Sequence, residues 1–143
     1  MKSTNWRWTN KRAIDFLLPM TRDLVTRFRR GEIALKAPTW RTSARGWWQD
    51  EATVQGPHGE MCTVVLIVTD WGSDENEHVT VGVTLPLERG KFDTMTVGWT
   101  RWRNGYGEVV EAWRFQKEYR GKGNGYYAEI DPESGRIISE EWD

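Results

Sequence analysis

Two stretches of this chain interleave tryptophan with arginine closely enough to do binding chemistry. Trp40-Arg41-Thr42-Ser43-Ala44-Arg45-Gly46-Trp47-Trp48 is the denser one, and Arg101-Trp102-Arg103 repeats the pattern after Trp99. A guanidinium is a planar fork of fixed charge that meets a phosphate or carboxylate with two parallel N–H bonds. An indole supplies a π-face for a cation or a base, and base stacking on an aromatic contributes about 1–3 kcal/mol. The candidate binding set is therefore Trp40, Arg41, Arg45, Trp47, Trp48, Arg101, Trp102 and Arg103. Some of the ten tryptophans must fill the core, but an indole N–H needs a partner, so several are expected at the surface.

The residues that usually do catalysis are sparse. His58 sits in Gly56-Pro57-His58-Gly59, which reads as a turn. His78 follows Asp74, Glu75 and Glu77 and could join Asp70 around a metal, but the loop lacks calcium-loop spacing, so no metal site is assigned. Glu108, Glu111 and Lys117 have the residue types of a metal-dependent nuclease, yet strand alternation sends the two glutamates to opposite faces. Gly121, Gly123 and Gly125 follow neither a Walker nor a dinucleotide pattern. No catalytic residue and no cofactor is assigned.

A chain of 143 residues is long enough for one domain with its own core, and residues 1–143 are read as a single unit. The lone cysteine, Cys62, lies in an apolar run and reads as a small buried hydrophobe. With no signal-like segment and no long apolar span, a cytoplasmic protein without a membrane partner is expected. Net charge is −1, but residues 1–48 carry about +8 and residues 49–143 about −9. That asymmetry permits a basic face for phosphates, two faces for different partners, or neutralisation of one half by the other in the fold.

The elements that must position these residues begin with a helix capped by Thr9 or Asn10. Pro19 predicts a break or a second helix running to Arg30, with Gly31 closing it. Trp6 and Trp8 read as the docking points of an N-terminal arm. Alternation at Ile33, Leu35 and Ala37 predicts a strand ending at Pro38. Met61–Thr69 is apolar and β-branched throughout, as in a central strand. Val79 to Leu85 alternates like a half-buried strand. Asn104-Gly105 predicts a tight hairpin in which Arg101 faces Glu108, Trp99 faces Val110 and Val97 faces Ala112. A terminal hairpin turns at Asp131–Gly135. The sum is an α+β fold: an N-terminal helix or helix pair packed on an antiparallel, curved or barrel-like sheet.

Leu18-Pro19-Met20, Gly31, Trp40-Arg41-Thr42 and Arg45-Gly46 together resemble the ASCH family of PUA-like domains over residues 18–46. The resemblance implies a small β-barrel with flanking helices and a ligand of the RNA or modified-nucleoside kind. Some members hydrolyse acylated nucleosides, but this chain has Ile33, Ala34 and Leu35 where the family places a lysine and a threonine or acid. That hydrolytic set is not implied here.

The reading that follows is a non-enzymatic protein that binds a nucleotide or single-stranded nucleic acid through its Trp/Arg surface. The alternative is a small inhibitor or adaptor of the phage type that binds a host protein complex. A hydrolase acting on a nucleotide-like substrate is the third reading, and a homo-oligomer is compatible with all three.

Overall fold

The computed structural model describes residues 8–37, 44–73, 75–88, 92–119 and 125–142. One helix, α1 (Asn10–Arg29), precedes seven strands: β1 (Gly46–Gln55), β2 (Met61–Asp70), β3 (His78–Pro86), β4 (Phe92–Arg103), β5 (Val109–Tyr119), β6 (Gly125–Ile130) and β7 (Ile137–Trp142). The strands form one antiparallel sheet in sequence order, each paired with its neighbour in the chain. The sheet is not closed, and β1 and β7 are its edges.

Thr9 caps α1 by accepting a hydrogen bond from Arg12 N–H at 3.1 Å. The helix passes through Pro19 without breaking, so the expected second helix is the same helix continued. Pro19 is exposed, and the bond it cannot donate is lost on the solvent side. Meanwhile Ala13, Ile14, Leu17, Leu18, Thr21, Leu24 and Val25 form one buried stripe across it, which offsets the roughly 3 kcal/mol that an interior proline costs. The end is a Schellman arrangement: Gly31 N–H donates to Phe28 O and Glu32 N–H to Arg27 O.

Strand alternation sends Val79, Val81, Val83 and Leu85 of β3, and Met95, Val97 and Trp99 of β4, to the face that α1 covers. Val64 and Val68 from β2, Phe115 from β5, and Tyr126, Ala128 and Ile130 from β6 complete that core. The buried Thr21 hydroxyl lies 2.9 Å from the carbonyl oxygens of both Leu17 and Val97, tying helix to β4. The opposite face carries Thr80, Thr84, Thr96 and Thr100 around the paired Gly82 and Gly98. Among the described residues no second layer covers it. No helix among them is long and apolar enough to cross a membrane.

Three expectations are corrected. The 104–105 hairpin is not a two-residue turn: Arg103 pairs with Val109, Arg101 with Glu111, Trp99 with Trp113 and Val97 with Phe115. The Asn104 carboxamide accepts from Tyr106 N–H and Glu108 N–H, building a longer loop in which positive φ falls on Gly107. The register moves by three residues, an odd number, so Trp113 and Phe115 join Trp99 on the helix-covered face. Residues 32–37 make only an isolated bridge, Lys36 to Trp47, instead of a strand. Met61–Asp70 is second from the edge rather than central, because Gly46–Gln55 pairs outside it. Trp8 is buried against Phe16, with rings 5.3 Å apart, while Trp6 lies outside the described residues.

Candidate ligand-binding site

Because side chains alternate along β4, Arg101 and Arg103 leave its end on the helix side, and Trp102 leaves on the open side. Beyond the last turn of α1 this creates a cleft of about 330 Å³. Arg45, Arg101 and Arg103 line it opposite Asp70, Glu75 and Glu77, and Phe28 and Leu35 add apolar wall. The cleft lining is thus balanced in charge.

The Arg101 guanidinium is held by stacking: its carbon is 5.3 Å from the Trp99 ring centre and 5.8 Å from that of Phe28. Its Nε lies 2.7 Å from Glu77 Oε1, an ion pair in which the N–H is not aligned for a hydrogen bond. Arg103 donates from Nη1 to Gly107 O at 2.6 Å, with Nη2 3.9 Å from Glu77 Oε2. The Arg103 backbone N–H donates to Glu77 O at 3.1 Å, which fixes the end of the 71–77 loop. Asp70 Oδ1 accepts from Gly72 N–H, and the Trp71 indole donates to Thr80 Oγ1, which seat the loop's start.

A second recess of about 320 Å³ has a different lining: Trp102, Thr100, His78 and Arg114, with Asn76, Glu77 and Arg103. It shares the last three residues with the arginine cleft, so the two recesses meet at Glu77 and Arg103. A third recess, about 400 Å³ between β5 and β7, presents Glu129, Glu140 and Glu141 against Arg114 and holds none of the sequence candidates.

The fold thus divides the candidate set. Arg45, Arg101 and Arg103 come together in the cleft, and Trp102 lines the adjoining recess. Trp48 instead packs on the core beneath Arg27, whose guanidinium carbon is 5.7 Å from its ring centre. Trp47 lies on the open face with the Lys36 ammonium 4.9 Å from its ring centre. Trp40 and Arg41 lie outside the described residues. Sequence reasoning missed Asn76 and Phe28, and weighed Glu77 only for metal binding. The cross-strand position of His78 opposite Trp102 is what brings the 71–77 loop to Arg101 and Arg103.

Among the described residues no group of three His, Cys, Asp or Glu side chains could hold a metal ion. Glu111 pairs with Arg29, whose guanidinium also lies 5.0 Å from the Trp99 ring centre. Cys62 is buried outside the cleft, and burial together with the Glu60 carboxylate pushes its thiol pKa up. Comparison with protein-family models, curated proteins and solved structures gives no match.

Proposed function

We propose that this protein binds a nucleotide, or a single strand through one of its nucleotides, at the hairpin end of the sheet. The observation that carries the reading is the meeting of two unlike recesses at Glu77 and Arg103. Arg45, Arg101 and Arg103 offer planar cations to a phosphate, and Trp102 with His78 and Thr100 offers a stacking face and polar edges to a base. Asp70, Glu75 and Glu77 cancel the long-range field of the arginines, so affinity comes from short-range pairing and a long polyanion is not favoured. The stretch resembling ASCH domains implies the same ligand class.

The test is a Trp-fluorescence titration with a panel of nucleotides and short oligonucleotides, beside a native mass spectrum of the purified protein. Binding is expected to weaken with salt and to fall roughly 5- to 150-fold in Trp102→Ala, the equivalent of about 1–3 kcal/mol of lost stacking. A flat titration with the whole panel refutes the reading.

A second reading is a protein-binding inhibitor or adaptor. It is favoured by the hairpin loop, where Tyr106 is 90% exposed and Val109 45% exposed, as apolar contact residues projecting from a sheet end. Pull-down of a partner that Tyr106→Ser abolishes, with no nucleotide affinity, would select it.

A further inference from the structure

The arginine cleft already contains an anion. Glu77 spans the two guanidinium groups, with Oε1 2.7 Å from Arg101 Nε and Oε2 3.9 Å from Arg103 Nη2. Its main chain cannot leave, because Glu77 O accepts from Arg103 N–H and the next residue opens β3. The side chain is about 31% exposed and can rotate away without disturbing the sheet.

On the nucleotide reading above, we infer that Glu77 holds the place of the ligand's phosphate, and that the group able to displace it is a terminal phosphate monoester, not an internal phosphodiester. The argument is one of charge and oxygen count. Exchanging a carboxylate for a diester swaps one unit of negative charge for another and two free oxygens for two. A monoester brings about −1.5 to −2 charge near neutral pH and three acceptor oxygens. Two oxygens of Glu77 reach two arginines, whereas Arg45 lines the same cleft as a third. Asp70 and Glu75 remain after the exchange and repel an anion in proportion to its charge, but with Glu77 swung out three arginines face two carboxylates, so the net pull still grows with the charge of the ligand. Glu77 is thus an internal competitor that costs every phosphate the same to displace, and the group that recovers this cost by pairing better with the arginines is a free nucleotide or a phosphorylated end.

The experiment is isothermal titration of the full chain with the four ribonucleoside 5′-monophosphates and their 5′-methyl phosphate esters, using wild type and Glu77→Gln. Wild type is expected to prefer the monophosphate by about tenfold or more, a difference of ~1.4 kcal/mol. Glu77→Gln, with no competing carboxylate to displace, should gain about tenfold or more in affinity for both ligands and leave the preference between them as it was. Equal wild-type affinity for ester and monophosphate overturns the inference and leaves the binding reading intact, and needs no variant. Unchanged affinities in folded Glu77→Gln, checked by circular dichroism, also overturn it. Failure of both proteins to bind any member of the panel sinks the binding reading itself.

Discussion

The contact between α1 and the last hairpin can be broken by one methyl group. Gly135 closes the 131–135 turn with φ +76°, and its N–H donates to Asp131 O at 2.8 Å. A Cβ there would sit 2.9 Å from Ile14 Cγ2 and 3.4 Å from Leu18 Cδ2, both on the buried stripe of the helix. Alanine in this left-handed conformation costs about 1–2 kcal/mol, of which about 0.4–1 kcal/mol returns through the stiffer unfolded chain. Overpacking a branched core side chain adds about 1–3 kcal/mol. Gly135→Ala should therefore destabilise by about 2–4 kcal/mol. Gly107 provides the control, with φ +80° and nothing within 4 Å of an added Cβ. Gly107→Ala should cost only the backbone share, about 1 kcal/mol. Urea unfolding followed by Trp fluorescence measures both, and with a slope of about 1–3 kcal/mol/M the midpoints should separate by about 1 M. If the two variants agree within ~0.5 kcal/mol, Ile14 yields without cost and the helix is not tightly seated on this turn.

Asn104→Ala removes the acceptor of two backbone N–H groups in the loop and should lower stability by about 1–2 kcal/mol in the same assay, whereas Gly105→Ala, at a glycine without positive φ, should change little. Burial first, then the Glu60 carboxylate, keeps the Cys62 thiol protonated at neutral pH; its reaction with a disulfide reagent should be far slower than that of free cysteine until denaturant exposes it. Burial and the 2.5 Å hydrogen bond donated to Glu140 push the Tyr126 hydroxyl up to about 12. With the folded value above the unfolded one, its contribution to stability is complete below about pH 10 and is lost as pH rises toward 12. Tyr126→Phe should flatten that alkaline decline, and an unchanged profile would remove Tyr126 as its cause.

The elements were more legible than their pairing. Periodicity identified the alternation of β3 because that pattern has one clear buried face. Pro19 misled because propensity acts locally, while the stripe on either side of it is buried against β3 and β4. Asn104-Gly105 misled differently: Asn104 also serves as a side-chain acceptor for its own loop, and the two uses of that residue give registers of opposite face. Arg45 and Arg101 stand far apart in sequence, and only the β1–β2–β3–β4 pairing brings them to one cleft. Glu77 carried no motif at all, since its role depends on lying beside β4 across a strand pair.

Strand order that follows the sequence has a consequence for how the chain is made. Each hairpin can pair as soon as its second strand leaves the ribosome, and such local pairing favours fast folding. The helix is the exception. It is synthesised before any strand, yet its seat on β3 and β4 is finished only once Arg103 has emerged. Until then Ile14, Leu17, Leu24 and Val25 lack the finished surface that buries them, so the nascent chain carries an exposed apolar stripe through most of its synthesis.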